Sequence, residues 1–256
     1  MALLWFKSGF IATFVVVMAR EKVFKFKRFA VLNDKTAMKV GTDGVLLGAW
    51  AHTGRMMLDI GTGTGLIALM MAQRSEESLI DGIDIDEEAV AQAKENVAAS
   101  PFASRIRILH GRIQEYQPTD ATLYDSIVSN PPFFHNSLGS PDTQRQLARH
   151  TDSLTYRHLF DAVQRLLAPD GCFSVVLPFD CRDSFVDEAL LHGMMLSREC
   201  GIRTTSRKQP RRYLMEFRFA SHSDTTGLLE KEEVVLMDDR GGRSEWYQRL
   251  TQGFYL

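Results

Sequence analysis

The sequence predicts an α/β fold: a doubly wound sheet of seven strands, mostly parallel, with an antiparallel edge strand and helices on both faces. Three observations predict it. Short apolar runs alternate with helix-length amphipathic segments between residues 56 and 191, and parallel strands require such crossovers. A glycine-rich turn, Gly61 to Gly65, follows the first run, as at a nucleotide-binding crevice. The last two runs are joined without a helix, so one of these strands must run antiparallel.

The individual elements follow from hydrophobic periodicity, caps and turn residues. Apolar runs predict strands at 56–60, 79–83, 106–109, 124–128, 173–177, 196–202 and 213–219. Helical spacing predicts helices at 66–73, 87–98, 153–167 and 184–191, the third capped by Ser153 and ending before Pro169-Asp170-Gly171. Alternating aromatic and basic residues from Val23 to Phe29 predict a strand or hairpin. A short strand at 234–236 and a terminal helix from Ser244 complete the expected elements.

Three parts are expected along the chain. Residues 1–50 form an N-terminal segment and cap, 51–220 the core, and 221–256 a C-terminal extension packed on the core. The apolar run from Phe10 to Met18 has about half the length needed to span a bilayer, and no small-x-small cleavage site follows it. We therefore expect residues 1–17 to stem from an upstream start codon, with Met18 as the native start.

The charge balance excludes a globally cationic protein. The chain has 30 Lys plus Arg against 32 Asp plus Glu, a net charge of −2, so a nucleic-acid partner needs a local basic patch. Cys172, Cys181 and Cys200 lack zinc-site spacing, and their odd number favours a reducing compartment. We expect a cytoplasmic protein without bound metal or membrane contact, and a chain of 256 residues can bury its core as a monomer.

The first candidate site is the segment from Asp59 to Gly65, Asp-Ile-Gly-Thr-Gly-Thr-Gly, at a strand-to-helix turn. Alternate glycines let the backbone approach a ligand closely, and the next helix points its N–H groups into the crevice. Asp84 ends the following strand, where a carboxylate can accept both hydroxyls of a ribose. The order Gly-x-Gly-x-Gly after an acid favours S-adenosylmethionine over a nicotinamide dinucleotide, because Asp59 suits a cationic methionine end better than phosphates.

The second candidate site, Asn130-Pro131-Pro132-Phe133, ends the fourth strand of the predicted core. Parallel strands end on one edge of a sheet, so both motifs can meet one ligand. The prolines lack N–H groups and fix φ, which presents Asn130 rigidly. If Asn130 and the Pro131 carbonyl accept the two N–H bonds of a planar amine, its lone pair can face the sulfonium methyl. Phe133 would stack an extruded base, so the pattern predicts methyl transfer to an amine without a covalent nucleophile.

With these motifs, the chain resembles the bacterial tRNA(Val) adenine-N6 methyltransferases, which modify the adenine just after the anticodon. The resemblance covers nearly everything from Phe24 onward. It is carried by Phe24-Lys25-Phe26, the segment 38–50 with its Lys-Val-Gly-Thr-Asp-Gly run, Asp59 to Gly65, Ser129 to Phe134, Arg149-His150 and the ending 246–256. It implies a Rossmann-like class I methyltransferase fold, S-adenosylmethionine as cofactor and tRNA as partner.

The resemblance also implies roles for single residues. Asn130, Pro131, Pro132 and Phe133 would hold the adenine, and the cofactor residues would be Thr42, Asp43, Asp59, Gly61, Gly63, Gly65, Asp84 and Ile85, with Thr42 and Asp43 at the methionine end. Arg112 departs from the family's pattern, in which an acid often meets the cofactor's adenine amine. A guanidinium cannot accept that hydrogen bond, so we expect the backbone or another group to supply it.

A cationic loop joins the last two strands of the predicted sheet. Five cations lie within ten residues: Arg203, Arg207, Lys208, Arg211 and Arg212. This loop is the best candidate for binding RNA phosphates, although a solvated loop without a ligand can have the same composition. For Arg149 and His150, two interpretations remain: a role in the site, or a position in a solvated loop.

Other interpretations remain open at this point. An Asn-Pro-Pro-aromatic motif also serves guanine N2 in ribosomal RNA and the glutamine amide of release factors, and all these amines present the same two N–H donors. Outside enzymes, a cofactor-binding RNA assembly factor fits the same residues. A nicotinamide reductase is the remaining alternative.

Overall fold

The computed structural model describes residues 23–34, 40–132, 154–222 and 229–256. The strands are β1 (Val23–Lys25), β2 (Ala30–Leu32), β3 (Met56–Ile60), β4 (Leu79–Asp84), β5 (Ile106–His110), β6 (Tyr124–Ser129), β7 (Leu167–Pro178), β8 (Met194–Arg203), β9 (Arg212–Phe219) and β10 (Glu230–Val235). The helices are α1 (Thr42–Trp50), α2 (Leu66–Arg74), α3 (Glu87–Ala98), α4 (Tyr156–Leu166), α5 (Arg182–Leu191) and α6 (Glu245–Thr251). Among these described helices, none combines the length and the apolar character needed to cross a bilayer.

The main sheet confirms the predicted fold class. Its strand order is β10-β8-β9-β7-β6-β3-β4-β5, and β9 runs antiparallel to both of its neighbours, whereas the other pairs are parallel. Two details differ from the sequence-based expectation. The sheet has eight strands, and the antiparallel strand lies inside it, because β10 and β8 cover its outer side. The edge position falls to β10, whose charged sequence suits an exposed edge.

The boundaries of the predicted core elements agree within two residues except around α4 and β7, whereas β10 begins four residues before the predicted strand at 234–236 and α1 has no counterpart among the predicted helices. Helix α4 is capped by Thr155, whose hydroxyl accepts the His158 N–H at 3.2 Å, so the predicted cap at Ser153 was wrong. Strand β7 begins directly at Leu167, and the Pro-Asp-Gly segment at 169–171 belongs to a bulge in β7 instead of a free turn. The register shift lies opposite Asp125 of β6. A bulge absorbs the proline because it leaves ladder positions unpaired.

The N-terminal hairpin packs against the C-terminal end of the chain. Strands β1 and β2 pair as an antiparallel hairpin, as the aromatic-basic alternation predicted. The Phe26 ring stacks on Tyr255 with centroids 6.0 Å apart, and the Lys27 N–H donates to the Phe254 carbonyl at 2.8 Å. The hairpin and the C-terminal end of the chain therefore lie on the side of the sheet that carries α1, α2 and α3.

The opposite side of the sheet is covered by α4 and α5. Its core is rich in aromatic side chains, with Phe160, Phe173, Phe185 and Phe217 all fully buried and in mutual ring contact. The three cysteines are also buried and free of disulfides. These two packed layers fix the sheet between them, so the carboxyl ends of the parallel strands form one edge on which a site can be built.

Candidate active site at the carboxyl edge of the sheet

The glycine-rich turn connects β3 to α2 in a backbone conformation that only glycine adopts readily. Gly61, Gly63 and Gly65 have φ of 72°, 55° and 79°. A Cβ added at Gly61 or Gly63 would meet nothing within 4 Å, so this side of the turn is open. At Gly65 a Cβ would lie 3.4 Å from that of Ala93 in α3. The turn therefore offers an open backbone surface, and its last glycine permits close packing of α3.

Asp84 fastens this turn to the end of β4. One of its carboxylate oxygens accepts the Gly63 N–H at 2.8 Å, and the other accepts the Asp86 N–H at 3.0 Å. The Gly61 N–H also donates to the Ile83 carbonyl at 2.8 Å. An ionised carboxylate offers about four acceptor positions, so Asp84 keeps capacity for ribose hydroxyls while it positions the turn.

Asp59 is a fully buried carboxyl at the base of the turn. One oxygen accepts the Thr62 hydroxyl at 2.7 Å and the Ala68 N–H at 3.2 Å. The other oxygen, Oδ1, is buried without a hydrogen-bond partner in the described part of the chain. Burial raises the pKa of Asp59 to about 7, the nearby Asp84 charge adds to this, and the two hydrogen bonds oppose it. A cationic group or an N–H donor in the crevice would satisfy this oxygen and favour the ionised form.

Asn130 lies beside the glycine turn because β6 and β3 are parallel neighbours. Ile60 pairs with Ser129, and the Ser129 hydroxyl donates to the Ile60 carbonyl at 2.9 Å. Gly61 and Asn130 are therefore the next residues of adjacent strands, about 5 Å apart across the sheet. The two motifs that the sequence analysis singled out separately meet at one edge.

The rest of the second motif is only partly described. Pro131 is buried and Pro132 is exposed. Phe133, Arg149 and His150 lie outside the described residues, so the predicted stacking ring stays a prediction.

Thr42 and Asp43 begin helix α1, with Gly41 at the N-cap position. The Asp43 carboxylate accepts the Arg212 Nε–H at 2.8 Å. Asp43, predicted to contact the cofactor, and Arg212, predicted to contact RNA, thus bind each other. The N-terminal cap is thereby linked to the first residue of β9.

Asn96 is a site residue that the sequence analysis missed. Its side chain accepts the Leu32 N–H at 2.8 Å and donates to the Leu32 carbonyl at 3.0 Å and the Thr64 carbonyl at 2.9 Å. It is 1% exposed, on the inner face of α3. The clue in the sequence is an amide placed at helical spacing among the apolar positions Val90, Ala93 and Val97. Asn96 joins the hairpin to the glycine turn.

Ile85 and Arg112 flank the end of β4. Ile85 follows Asp84 and is 47% exposed, which is unusual for an isoleucine beside a crevice and suits contact with a flat ring. Its carbonyl contacts His110 Nε2 at 3.0 Å. Arg112 is half-buried just beyond β5, which pairs with β4 up to Asp84 and His110. Arg112, which replaces the acid common in the family, thus lies next to the residues predicted to bind the cofactor.

The cationic loop divides into paired and exposed residues. Arg203 forms an ion pair with Glu233, and Arg212 pairs with Asp43. The remaining three cations, Arg207, Lys208 and Arg211, are exposed. These three are the residues of the loop with the greatest access to a phosphate.

One group outside this edge has the spacing of metal ligands. His52, Cys172 and Glu216 offer atoms within 4.8 Å of one another. The Glu216 carboxylate already contacts Arg198 at 3.1 Å and Arg218 at 3.3 Å. Two guanidinium groups oppose a second cation there, and we assign this group no metal.

Comparison with known proteins identifies close relatives. The family model of the methyltransferase small domain matches residues 36–179. A tRNA1(Val) (adenine(37)-N6)-methyltransferase of Parabacteroides distasonis is 47% identical over 91% of this chain and 97% of its own length. The enzyme of the same name from Klebsiella pneumoniae, subspecies pneumoniae, is 40% identical over 91% of this chain and 94% of its own.

Solved structures support the fold alone. A predicted O-methyltransferase from Agrobacterium tumefaciens has a TM-score of 0.61 at 14% identity and covers 83% of this chain and 96% of its own. The glycopeptide N-methyltransferase MtfA in complex with sinefungin has a TM-score of 0.53 at 11% identity, covering 70% of this chain and 88% of its own.

We predict that Asn96→Ala loosens both partners of this amide. It leaves the part-buried backbone groups of Leu32 and the buried Thr64 carbonyl without their hydrogen bonds, which costs about 1–3 kcal/mol of unfolding free energy. Hydrogen exchange should quicken at β2 and at the glycine turn, and urea denaturation should show the loss of stability.

Two variants on α3 make the measurement specific. Asn96→Asp keeps the acceptor for Leu32 but faces two carbonyls with a carboxylate, so it should be no more stable than Asn96→Ala. Lys94→Ala, at an exposed position, should leave exchange unchanged. Equal exchange in Asn96→Ala and Lys94→Ala would contradict the proposed link.

Proposed function

The chain belongs to the tRNA1(Val) (adenine(37)-N6)-methyltransferase family, and from this premise we propose that it methylates N6 of an adenine in tRNA, with S-adenosylmethionine as the donor. The names of the relatives specify adenine 37, so we propose that nucleotide, next to the anticodon, as the acceptor. The observation that carries the proposal is the pairing of Ile60 with Ser129, which brings the glycine turn and Asn130 to one edge.

The residues at this edge fit S-adenosylmethionine. The unpartnered Asp59 oxygen suits its cationic methionine end, where we also place Thr42 and Asp43. The open faces of Gly61 and Gly63 leave room beside the Asp84 carboxylate for a ribose. Ile85 offers an exposed apolar side chain to the adenine of the cofactor. When bound, the cofactor supplies an electrophilic methyl on a sulfonium.

We propose that Asn130 and Pro131 activate the acceptor amine. An exocyclic amine is a weak nucleophile because its lone pair is delocalised into the ring. The Asn130 side-chain oxygen and the Pro131 carbonyl would accept its two N–H bonds, so the nitrogen can become pyramidal and direct its lone pair at the methyl. The same oxygens would stabilise the positive charge that develops on nitrogen as the N–C bond forms at the expense of the sulfonium S–C bond, and the methylated amine would then release one proton to solvent. Pro132 keeps the segment extended, and Phe133 would stack on the base.

The compartment and the assembly state follow from the same proposal. A tRNA substrate and three free, buried cysteines support a cytoplasmic protein. Every residue proposed for the chemistry belongs to one chain, so we propose that a monomer is sufficient. The predicted division into residues 1–50, 51–220 and 221–256 remains part of this proposal.

The proposed function is tested by assaying the purified protein with unmodified tRNA and S-adenosylmethionine. N6-methyladenosine should form and be detected by nucleoside mass spectrometry. Asn130→Ala should lower kcat about 10²- to 10³-fold, because a hydrogen-bond acceptor for the transition state is removed. Its affinity for S-adenosylhomocysteine should match the wild type by calorimetry. Methylguanosine as the product, or no methylated nucleoside at all, would contradict the assignment.

Cofactor affinity should depend on pH through Asp59. Burial raises the pKa of this carboxyl to about 7, so below pH 7 it is mostly protonated. Because a cationic ligand binds the carboxylate form, binding at low pH also requires the release of this proton. The affinity for S-adenosylmethionine should therefore fall as the pH drops below 7, by up to about ten-fold per pH unit, and level off above it. Calorimetry between pH 5.5 and 8.5 measures the slope. Asp59→Asn should bind more weakly at pH 8 and lose the slope, and a slope that persists in this variant would assign it to another group.

The exposed cations of the loop should supply salt-dependent RNA affinity. Replacing Arg207, Lys208 and Arg211 by alanine should weaken tRNA binding and flatten its salt dependence. The slope of log K against log salt should fall by about 0.7–0.9 for each phosphate that the loop no longer neutralises. Filter binding between 50 and 300 mM salt gives this slope, and affinity for S-adenosylhomocysteine should not change. Lys94→Ala is the matched control, and an unaltered slope in the triple variant would remove the loop from the interface.

A further inference from the structure

A cavity of about 470 Å³ lies at the carboxyl edge of the sheet, on the side of β7 away from the proposed acceptor site. We call it the Phe179 cavity. Its lining includes Phe179 after β7, Tyr213 in β9, Arg182 in α5, and Glu199 and Lys231 in β8 and β10. Its volume is in the range of small-molecule sites, about 300–1,000 Å³. None of these residues has a role in the proposed chemistry.

Phe179, one wall of the cavity, lies between the acceptor site and the cationic loop. Ser129 of β6 pairs with Val175 of β7, so Asn130 stands level with the residue after Val175. Phe179 follows three residues farther along the chain, about 10 Å at 3.3 Å per residue. On its other side, the Phe179 N–H donates to the Arg211 carbonyl at 3.1 Å. Phe179 therefore lies between Asn130 and the backbone of Arg211, at the wall of the cavity nearest the acceptor site.

The walls of the cavity present a free aromatic surface. The Phe179 side chain is 49% exposed, and its ring stacks on Tyr213 with centroids 6.0 Å apart and an interplanar angle of 29°. The Arg182 guanidinium lies 5.6 Å from the Tyr213 centroid, within cation–π distance of that ring. Phe179 is thus the exposed ring of the pair, Tyr213 is half-buried, and an exposed ring beside cations is a common platform for bases of single-stranded nucleic acids.

The charges around the rings disfavour a phosphate as the occupant. Glu199 accepts Arg182 Nε–H at 2.6 Å and contacts Lys231 Nζ at 3.1 Å, so both cations of the wall are compensated. Asp183 also pairs with Arg182. Carboxylates at the rim repel phosphate but accept N–H bonds from the edge of a base. A neutral heteroaromatic ring with N–H donors is the chemistry that fits.

We propose that the Phe179 cavity binds a second nucleobase of the tRNA, one that flanks the target adenine, by stacking on Phe179. The inference rests on the proposed function and adds to it a binding site for a nucleotide next to the target adenine. Extruding the target adenine separates it from its neighbours in the stack, and the Phe179 ring would give one of them a new stacking partner. Phe179 is thus a positioning residue for the substrate, separate from the methyl-transfer machinery.

The experiment compares steady-state kinetics of wild type, Phe179→Ala and the control Leu191→Ala, which changes a side chain 77% exposed at the far end of α5. Phe179→Ala should raise the KM for tRNA about 5- to 100-fold. Its kcat at saturating tRNA should change less than three-fold, and its affinity for S-adenosylhomocysteine should be normal. A KM within two-fold of the wild type would overturn the inference. Absence of activity in the wild type would instead contradict the proposed function.

A second variant keeps the test decisive if the alanine variant folds poorly. Phe179→Trp retains a stacking ring and should restore the KM to near the wild-type value. The wild-type protein has three tryptophans, so its fluorescence is subtracted from that of the variant. The remaining fluorescence, from the tryptophan introduced at position 179, should be quenched by an anticodon stem-loop RNA. Heparin, a polyanion without bases, should not quench it. Equal quenching by heparin, or no quenching by RNA, would overturn base stacking at this cavity.

Discussion

The parallel pairing of β3 and β6 is the constraint on which the site depends. Ile60 and Ser129 are opposite each other, and the Ser129 hydroxyl is bonded to the Ile60 carbonyl. The residues that follow, Gly61 and Asn130, therefore leave adjacent strands at the same level. Because side chains alternate along a strand, a slip of one residue would turn Asn130 to the other face. The proposed transfer from donor to amine needs this register.

Buried polar groups hold the turn in a single arrangement. Asp84 fastens it through Gly63, Asp59 closes its base, and Asn96 ties it to the hairpin. Each of these polar groups is buried or partly buried, so leaving its hydrogen bond unformed would cost free energy. The groups therefore select one conformation of the turn more than they add stability to the fold. Asp59 keeps one buried oxygen without a described partner. This is an electrostatic cost to the protein alone that a cationic ligand would relieve.

Charge is arranged locally in a chain that is nearly neutral overall. Ion pairs compensate Arg203 and Arg212, which leaves Arg207, Lys208 and Arg211 exposed at one loop tip. The adjoining cavity is bounded instead by aromatic rings and by compensated charges. The loop would thus contact phosphates and the cavity a base, on neighbouring but separate surfaces. This agrees with the general pattern in which phosphate contacts position the nucleic acid and base contacts give specificity.

The sequence determined the order of the core strands and of the helices that join them, the glycine turn and the Asn-Pro-Pro motif, because these depend on local periodicity and backbone chemistry. It also predicted a terminal helix from Ser244, and the structure has α6 at Glu245–Thr251 with Ser244 as its N-cap. Only the tertiary structure decided that β9 lies inside the sheet, that Asn96 bonds to Thr64, and that Arg212 bonds to Asp43. These pairings join residues far apart in the chain, and a side chain's partner depends on which distant strand or helix packs beside it.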